Sequence, residues 1–510
     1  MTALEVTREL VFPALERHGS RPAVVADGVT WSYDELRESA LRLASVLMDA
    51  GVRAGDPVAI VRENSARYLI ADLAIIAVGG AKVPVNMMLS DEEVAHILHD
   101  SRAKVVLASE TRLRAVERAR GLGADPVLLT DAQLPAGVTQ EPGTGEDVPT
   151  LADLPPVEAG DRALIMYTGG TTGRPKGVVH HQRGVTANLL SHVIETEIAA
   201  QDRLLLTSPL PHSAGVLAQT GLLQGAVIHV EAGFDLDLVL ERIEKDRVSY
   251  LFMVPTMIYR MLDEVAARPA FDSSSLRTVL YGASPITEAR LRQGLDLFGP
   301  VFMQLFGQTE APNFLTRLRR EDHSADRSPA RLRSCGQSVL MAQIRTVRSD
   351  GSDCAPGEVG EVLGRAPYVM EEYLGKPEAT AAALRDGWLC TGDLGYLDEE
   401  GYLFLVDRKK DMIITGGLNV YAGEVEQALA SLDDVKEAAV VGVPHPDWGE
   451  AVVAFVVPAT PDATEERIAR AARALLSGYK RPKEVVLREE LPVTAVGKVD
   501  KKQLRLHTDG

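Results

Sequence analysis

The residues with the strongest chemical signature lie between Met166 and His181, in the sequence MYTGGTTGRPKGVVHH. This segment contains four glycines, three threonines and one lysine. Glycines let backbone N–H groups approach an anion because no Cβ stands in the way, and threonine hydroxyls add donors. The common P-loop reads G-x-x-x-x-G-K-[ST] and opens a helix, whereas here Pro175 and Gly177 flank Lys176 and disfavour a helix. The segment therefore predicts a phosphate-binding loop that differs from that of the common NTPases.

Four further segments carry side chains that could act together with this loop. Glu310 lies in LFGQTEAPN, and Asp393 and Arg408 lie in WLCTGDLGYLDEEGYLFLVDRKKD. The sequence GGLNVYAGEVE follows directly, and Lys498 lies near the C-terminus in LPVTAVGKVDKKQLR. In this order, the segments strongly resemble the adenylate-forming superfamily of acyl-CoA synthetases, adenylation domains and luciferases. The resemblance spans nearly the whole chain, and YTGGTTGRPKG and CTGDLG are its most specific motifs.

The resemblance implies that the glycine-rich loop holds the β- and γ-phosphates of ATP and then releases pyrophosphate. Phe306 stands where relatives usually have tyrosine and would lie on the adenine ring. Asp393 would accept hydrogen bonds from the ribose hydroxyls, and Arg408 would make a second contact with the nucleotide. The implied ATP- and AMP-binding residues are Thr168, Gly169, Gly170, Thr171, Thr172, Lys176, Gly282, Ala283, Ser284, Phe306, Gly307, Asp393 and Arg408.

The resemblance also implies the groups that act on the reacting atoms. Thr309 would donate to the α-phosphate, and Glu310 would carry Mg²⁺, a hard ion suited to one carboxylate and phosphate oxygens. Attack of a carboxylate on the α-phosphorus brings two anions together, and Lys498 would be the mobile cation between them. His212 matches the position that lies beside the acyl carboxylate in relatives.

Three features favour CoA as the acceptor of the acyl group. Trp448 fits the residue that relatives use near the CoA nucleotide, and the segment YKRPK fits one that holds the CoA phosphates. Residues 479–505 contain eight Lys or Arg and four Asp or Glu, a local excess of +4 in a chain of net charge −18. A local reversal of this kind suits a polyanionic ligand. The implied CoA-binding residues are Gly416, Gly417, Trp448, Tyr479, Arg481 and Lys483.

The residues implied for the acid pocket are mostly small or apolar: His212, Ser213, Ala214, Val254, Pro312 and Asn313. They include no arginine that could bind a second carboxylate, which favours an aryl or medium-chain acid. Two alternatives remain open. The chain could transfer the adenylated group to an amine or a carrier thiol, or activate a small oxyanion such as nitrite for transfer to an aryl amine. It could instead be a non-catalytic nucleotide-binding protein, although the presence of Lys498, Glu310 and Asp393 together argues against this.

The elements that position these residues follow from the apolar pattern. A chain of 510 residues exceeds a single core, so two or more domains are expected. Apolar runs such as DPVAIV, AKVVLA, GAVIHV and VSYLFMVP alternate with amphipathic helices, which is typical of an α/β fold. After about residue 340, QIRTV, GEVGEVLGR and GYLFLVDR predict shorter antiparallel strands.

The sequence thus predicts an α/β protein with two domains. A large N-terminal AMP-binding domain of layered β-sheets with helices would span residues 1–409. A small mobile α+β domain would span residues 410–510, with the hinge at Lys410 in the charged run VDRKKD.

Composition restricts the class of partner. The net charge of −18 argues against non-specific binding to nucleic acid or to an anionic membrane. The most apolar run, YLIADLAIIAVGG, is interrupted by Asp72 and is too short to predict an integral membrane segment. Three cysteines without CxxC spacing, and an N-terminus unlike a signal peptide, favour a reducing cytoplasm. The expected ligands are a small carboxylic acid, ATP, Mg²⁺ and CoA, and the sequence is compatible with a homodimer.

Overall fold

The computed structural model describes residues 4–134, 148–168, 175–284, 286–324, 329–493 and 499–506. The α-helices of these residues, in chain order, are α1 (Thr7–His18), α2 (Tyr33–Asp49), α3 (Ala66–Val78), α4 (Asp91–Asp100), α5 (Leu113–Gly121), α6 (Gln182–Glu195), α7 (Gly215–Gln224), α8 (Leu236–Glu244), α9 (Pro255–Ala266), α10 (Glu288–Phe298), α11 (Pro377–Ala383), α12 (Ala422–Ala430), α13 (Glu465–Leu475) and α14 (Lys501–Leu506).

The β-strands of the described residues, in chain order, are β1 (Pro22–Ala26), β2 (Val29–Ser32), β3 (Pro57–Val61), β4 (Ala81–Pro84), β5 (Val105–Ala108), β6 (Val127–Leu129), β7 (Arg162–Thr168), β8 (Lys176–His181), β9 (Arg203–Leu206), β10 (Val227–Val230), β11 (Tyr250–Met253), β12 (Thr278–Tyr281), β13 (Phe302–Gln308), β14 (Ala311–Leu318), β15 (Gln337–Ser338), β16 (Gln343–Val347), β17 (Gly360–Arg365), β18 (Glu372–Tyr373), β19 (Leu384–Arg385), β20 (Trp388–Leu397), β21 (Leu403–Arg408), β22 (Ile413–Thr415), β23 (Leu418–Val420), β24 (Val435–His445), β25 (Gly449–Pro458) and β26 (Glu484–Leu487).

The strands form four sheets. The first sheet has the order β15-β14-β13-β12-β11-β9-β10-β1-β2, and the second has the order β18-β8-β7-β4-β3-β5-β6. The third sheet has the order β16-β17-β20-β19, with β21 paired to β20. The fourth sheet, after residue 409, has the order β23-β22-β25-β24, with β26 paired to β25. The centres of the first and second sheets are parallel, whereas the strands of the third sheet pair antiparallel.

The first and second sheets are buried on both faces, because successive side chains of a strand point to opposite sides. In β9, Leu204 and Leu206 belong to the core shared with α1, α2, α3, α6 and α7, while Leu205 belongs to the core formed with α8, α9 and α10. Helices α4 and α5 cover the outer face of the second sheet. The large domain therefore has alternating helical and sheet layers, and the predicted α/β architecture is confirmed.

Local sequence signals agree with the elements that form. The side chain of Ser32 accepts the backbone N–H of Glu35, and Glu35 bonds back to the N–H of Ser32, which makes a capping box at the start of α2. The four apolar runs named above form β3, β5, β10 and β11, and the predicted antiparallel strands form β16, β17 and β21. Among the described residues, no helix is both long and apolar enough to cross a membrane.

Residues 409–412 connect the third sheet to the fourth. The N–H of Ala422 donates to the carboxylate of Asp407 across this connection, and Arg505 forms an ion pair with Asp411 at 3.0 Å. Burial, followed by the positive charge of Arg408, lowers the pKa of Lys410. The domain boundary at residues 409 and 410 and the hinge at Lys410 remain predictions.

Buried neutral histidines make the stability of the large domain depend on pH. His323 follows β14 and is buried, with its Nδ1–H donating to the carbonyl of Arg319 at 2.7 Å and its Nε2 accepting from the Tyr281 hydroxyl at 3.0 Å. Burial lowers the pKa of His323 to about 4, and it lowers the pKa of His180 and His192 to about the same value. As pH falls below 6.5, these side chains take up a proton in the unfolded chain but not in the folded one. Stability is therefore lost between pH 6.5 and pH 4.

We expect His323→Gln to weaken this pH dependence, because glutamine takes up no proton on unfolding. Between pH 7 and pH 5, the free energy of unfolding of the wild-type protein should fall by about 2 kcal/mol more than that of the variant, given 1.36 kcal/mol per pKa unit. Urea unfolding followed by circular dichroism at both pH values measures the difference. Equal losses in the two proteins would contradict the assignment of a depressed pKa to His323.

Candidate active site

Predicted nucleotide and acid residues gather at one edge of the first sheet. Strands β9, β11, β12 and β13 run parallel, so their carboxyl ends lie together. The segments that follow these strands carry His212, Val254, Gly282 and Thr309, respectively. The carboxyl edge of parallel strands is where open α/β sheets bind their ligands. The fold therefore collects residues that are far apart in the sequence.

Thr309 and Glu310 form the two-residue turn between β13 and β14. Gly307 lies in β13, two residues before Thr309. A Cβ at Gly307 would stand 2.6 Å from the carbonyl oxygen of Asn313. Only glycine permits this approach of two backbones. The position of the predicted catalytic turn therefore depends on the absence of a side chain at residue 307.

Tyr373 joins the predicted phosphate-loop lysine to the predicted metal ligand. The Lys176 ammonium lies 3.9 Å from the centre of the Tyr373 ring, and the Tyr373 hydroxyl donates to Glu310 Oε1 at 2.6 Å. Strand β18, which carries Tyr373, pairs with β8, which begins at Lys176. Burial and then the negative charge of Glu310 raise the pKa of Tyr373, so its hydroxyl keeps its proton. Sequence reasoning missed Tyr373, since the surrounding EEYLG has no motif that marks it.

His180 makes a second link to the same turn. Its Nε2–H donates to the carbonyl of Thr309 at 2.9 Å, and the N–H of Met370 donates to the carbonyl of Glu310 at 2.7 Å. Burial is the main cause that lowers the pKa of His180 to about 4, so the ring is neutral near pH 7. We call Lys176, His180, Thr309, Glu310 and Tyr373 the sheet junction, because they join the second sheet to the first.

The residues predicted to bind adenine lie at the ends of adjacent strands. Gly282 follows β12, and a Cβ there would come within 2.6 Å of Leu305 in β13. Ala283 has a φ of 68°, and both Ala283 and Ser284 are exposed. Phe306 is half-buried against the core. These positions could offer an aromatic face beside a backbone turn, and their contact with adenine remains a prediction.

Asp393 and Arg408 face each other across the pair β20 and β21. The distance from Arg408 Nε to Asp393 Oδ1 is 2.9 Å, and the Asp393 side chain is 6% exposed whereas that of Arg408 is 46% exposed. The structure thus holds a buried carboxylate beside an accessible guanidinium. A ribose hydroxyl would have to approach Asp393 alongside Arg408, so the two predicted contacts form one unit.

His212, a predicted acid-pocket residue, is held in place by Asn86. The Asn86 amide donates to His212 Nε2 at 3.1 Å, and its own carbonyl oxygen accepts the N–H of Met88 at 2.9 Å, which fixes the orientation of the amide. His212 lies in a π-helical turn, Leu210–Ala214, with φ −115° and ψ −147°. Asn86 was not predicted, because an asparagine that follows a strand is usually a turn residue.

A directed chain of hydrogen bonds connects further residues of the predicted acid pocket. The Ser213 hydroxyl donates to Asn313 Oδ1 at 2.6 Å, and the Asn313 amide donates to His192 Nε2 at 2.8 Å. His192 Nδ1–H donates to the carbonyl of Asn188 at 2.7 Å, and the Asn188 amide donates to the carbonyl of Pro312 at 2.9 Å. Burial lowers the pKa of His192 to about 4, consistent with this neutral ring. The chain brings Ser213, Pro312 and Asn313 together as predicted neighbours.

The residues around Glu310 fit a magnesium ion. A carboxylate has about four acceptor sites, so the bond from Tyr373 leaves capacity for a cation. Among the described residues, no group of three or more His, Cys, Asp or Glu side chains could hold a metal by itself. A Mg²⁺ ion at Glu310 would therefore take most of its ligands from phosphate and water, as Mg²⁺ commonly does.

Several predicted residues lie outside the described part of the chain: Gly169, Gly170, Thr171, Thr172 and Lys498. Thr168 ends β7 and pairs with Lys176, the first residue of β8. The two strands on either side of the glycine-rich loop are thus held in register.

The predicted CoA site brings together two glycines, an aromatic ring and a cation. Gly416 and Gly417 form the turn between β22 and β23 with φ values of 57° and 78°, which glycine adopts most readily. The N–H of Gly416 donates to the carbonyl of Trp448 at 2.8 Å. Lys483 Nζ lies 4.5 Å from the centre of the Trp448 ring, and His445 stacks on that ring with centroids 4.1 Å apart. His445, Trp448 and Lys483 form a surface that we call the Trp448 platform.

Arg481 and Tyr479 differ from Lys483 in their surroundings. Arg481 Nε donates to the carbonyl of Leu476 at 3.0 Å and its Nη2 donates to that of Arg473 at 3.0 Å, which caps the end of α13. Tyr479 is 38% exposed. The role of Arg481 in binding CoA remains a prediction, but the structure gives its guanidinium a helix-capping role.

The local excess of positive charge in residues 479–505 is partly compensated by acids from elsewhere in the small domain. Lys480 pairs with Glu424 at 2.5 Å, Lys501 with Glu426 at 2.7 Å, and Arg505 with Asp411 at 3.0 Å. Counting charges along the sequence therefore overestimates the charge available to a polyanion.

Comparisons with known proteins show what the chain is similar to. The family model of AMP-binding enzymes matches residues 11–374, and that of the AMP-binding enzyme C-terminal domain matches residues 424–498. A feruloyl-CoA synthase from Amycolatopsis is 38% identical over 489 residues, covering 95% of each chain. An indoleacetate–CoA ligase from Aromatoleum aromaticum is 36% identical over 93% of this chain and 92% of its own. The solved structure of the amide bond synthetase McbA from Marinactinospora thermotolerans superposes with a TM-score of 0.88 at 30% identity, covering 98% of this chain and 99% of that one.

We expect Tyr373→Phe to raise the Mg²⁺ concentration needed for half-maximal activity several-fold, because Glu310 loses the hydroxyl that orients it. A hydrogen bond to a charged group is typically worth about 1.5–3 kcal/mol. The measurement is pyrophosphate release as a function of Mg²⁺ at fixed ATP.

Tyr402→Phe is a matched control, since it removes another tyrosine–carboxylate hydrogen bond, to Asp322 at 2.8 Å, outside the sheet junction. Its Mg²⁺ dependence should equal that of the wild type. If both variants behave alike, Tyr373 has no specific role in positioning Glu310.

Proposed function

Since the chain belongs to the family of AMP-binding enzymes, and to its acyl-CoA ligases by homology, we propose that it is an ATP-dependent ligase that joins an aryl or medium-chain carboxylic acid to CoA. The observation that carries the proposal is the sheet junction. It sets a lysine over the ring face of one tyrosine and a carboxylate at the hydroxyl of the same tyrosine, beside the glycine-rich loop. A phosphate chain with its counter-ion needs both charges close together.

The first half-reaction forms the acyl-adenylate. A carboxylate oxygen of the acid attacks the α-phosphorus of ATP, the bond to the β-phosphate oxygen breaks, and pyrophosphate leaves. Lys176 would bind the β- and γ-phosphates, Thr309 would donate to the α-phosphate, and Lys498 would stabilise the charge that develops between the two anions. Glu310 would hold Mg²⁺, which neutralises phosphate charge when it is bound.

The second half-reaction transfers the acyl group. The CoA sulfur attacks the acyl carbonyl, the bond to the phosphate oxygen breaks, and AMP leaves with the thiol proton released to solvent. We propose that the small domain turns about Lys410 between the two half-reactions. It would first present Lys498, and then the turn of Gly416 and Gly417 with the Trp448 platform.

The acid is proposed from the composition of the pocket. Ala214, Val254 and Pro312 offer apolar surface, and the directed bonds at Ser213 and Asn313 use neutral groups only. The relatives named for ferulate and indoleacetate support an aryl acid.

A second candidate keeps adenylation but changes the acceptor to an amine. The likeness to an amide bond synthetase favours it, at 30% identity over 98% of this chain. The acceptor distinguishes the two candidates. Formation of a thioester with CoA supports the ligase. Formation of an amide, with a rate of pyrophosphate release that does not depend on CoA, supports the alternative.

We expect a panel of aryl and medium-chain acids to include at least one that gives AMP, pyrophosphate and a thioester only when ATP and CoA are both present. Lys498→Ala should slow pyrophosphate release by about 10²–10³-fold, the typical cost of losing one transition-state donor. It should affect thioester formation from supplied acyl-adenylate much less, because that step does not use the lysine. Equal losses in the two half-reactions would contradict the role of Lys498, and no thioester from any acid would contradict the ligase.

We expect Lys483→Ala to raise the KM for CoA by about tenfold and to leave the KM for ATP nearly unchanged, since charge-assisted hydrogen bonds contribute about 1.5–3 kcal/mol. Added salt should reduce the difference, because the platform is partly exposed. Lys436→Ala is the control, since it removes an exposed lysine of the same domain. A KM for CoA that rises equally in the two variants would show that only net charge matters.

A further inference from the structure

A cavity lies between the first and second sheets, next to the acid pocket. Its walls come from α3, α6, α7, β4, β7 and β8, and it encloses 40 Å³ of free space, room for about three water molecules. Asn188 and Pro312 belong to this wall. The Asn188 amide bonds to the carbonyl of Pro312, and Pro312 is itself a predicted acid-pocket residue, so the cavity and the predicted acid pocket share a wall residue.

Most of the cavity wall is apolar, but one side carries a buried charge cluster. Lys82 Nζ lies 2.7 Å from Asp72 Oδ1, and the Gln219 amide donates to Asp72 Oδ2 at 2.6 Å. Asp72 is 1% exposed and Gln219 is 4% exposed. We call Asp72, Lys82 and Gln219 the Asp72 cluster.

The Asp72 cluster is incompletely hydrogen-bonded. Among the described residues, Asp72 Oδ1 has no hydrogen-bond partner, although the Lys82 ammonium lies within ion-pair distance. Lys82 is the ion-pair partner of this oxygen at 2.7 Å. A carboxylate has about four acceptor sites, so Oδ1 keeps capacity for a further donor, and a buried ion pair is seldom retained for stability alone. A ligand hydroxyl that donates to Asp72 Oδ1 would use this capacity.

We infer that the cavity receives the distal end of the acid, and that the Asp72 cluster hydrogen-bonds a hydroxyl group carried there. The inference rests on the proposed function, because it assigns the acid substrate of the same site. The hydroxyl hydrogen donates to Asp72 Oδ1, and the hydroxyl oxygen accepts from the ammonium of Lys82. Apolar side chains such as Ile76, Met166 and Leu189 line the cavity and would pack against the carbon atoms next to the hydroxyl, while the rest of the acid stays in the predicted acid pocket.

The charge of the Asp72 cluster selects a hydroxyl over a charged group. Lys82 and Asp72 sum to zero, so a second carboxylate would leave a net negative charge in a buried site, and an ammonium would leave a net positive one. Burying either charged ligand group costs desolvation free energy, and no side chain of opposite charge is left to compensate it within the cluster. A hydroxyl both donates and accepts. It can therefore donate to the carboxylate of Asp72 and accept from the ammonium of Lys82 without changing the net charge.

The test compares pairs of acids that differ only in the distal hydroxyl. We use 3-phenylpropanoate with 3-(4-hydroxyphenyl)propanoate, and hexanoate with 6-hydroxyhexanoate, and include adipate as the charged analogue. Dissociation constants are measured by calorimetry, and pyrophosphate release is measured in parallel. In the wild-type protein, the hydroxy acid of at least one pair should bind about tenfold more tightly than the acid without the hydroxyl, as expected for a hydrogen bond to a charged group. Adipate should bind more weakly than 6-hydroxyhexanoate.

The variant Asp72→Asn/Lys82→Met removes both charges together, so no unpaired buried charge remains. It should bind both acids of a pair within about twofold, since the hydrogen-bond partners are lost while the apolar wall is kept. The matched control is Asp56→Asn/Lys104→Met, which removes an ion pair of 2.6 Å at the surface of the large domain and should keep the preference.

Three results would overturn the inference: no hydroxyl preference in the wild type, no binding of any acid of the panel, or a preference that survives in Asp72→Asn/Lys82→Met. The wild-type comparison decides the matter even if the double variant does not fold. Failure of the proposed function is a separate result, namely hydroxyl-dependent binding without pyrophosphate release. That outcome would support the cavity as a hydroxy-acid site while rejecting the ligase.

Discussion

The placement of Tyr373 between Lys176 and Glu310 is the constraint on which the site depends. A site for a phosphate chain and its metal counter-ion needs a cationic and an anionic side chain a few ångströms apart. If these two side chains formed a direct ion pair, the pair would compete with the phosphate for the cation and with the metal for the anion. The ring of Tyr373 offers its face to Lys176 and its hydroxyl to Glu310. The pairing of β18 with β8 fixes the ring, and the turn between β13 and β14 fixes the carboxylate. The geometry of the charges therefore follows from how the two sheets meet.

Neutral buried histidines hold the surrounding elements without adding charge. His180 donates to the turn at Thr309, and His192 links Asn313 to the carbonyl of Asn188 in the chain of bonds that begins at Ser213. Burial lowers the pKa of both rings, so each has one donor and one acceptor nitrogen near pH 7. A directed network of this kind permits one orientation for each amide and hydroxyl, which keeps the acid pocket in a single arrangement. Charged side chains at the same places would alter the electrostatic field around Lys176 and Glu310.

The sequence was sufficient to predict the strands, the α/β layers and the antiparallel third sheet, because apolar runs and turn residues are local signals. Through the resemblance, the sequence also predicts one site for Glu310 and Lys176, and in the structure both side chains contact Tyr373. It could not predict Tyr373, Asn86 or His180, since their roles depend on partners that lie many residues away. Asp72 was visible only as an interruption in an apolar run. Its neighbours Lys82 and Gln219 come from β4 and α7, and only the packing of these elements on α3 shows a cluster.

The basic C-terminal segment shows how charge along a sequence differs from charge on a surface. Residues 479–505 carry an excess of four positive charges, but Lys480, Lys501 and Arg505 pair with acids of α12 and the connecting segment. The guanidinium of Arg481 donates hydrogen bonds to backbone carbonyls at the end of α13. Lys483 differs because it lies over an indole ring rather than beside a carboxylate. A cation on an aromatic face keeps its full charge for an anionic ligand, so recognition of a polyanion by this domain would depend on the Trp448 platform more than on the total charge of the segment.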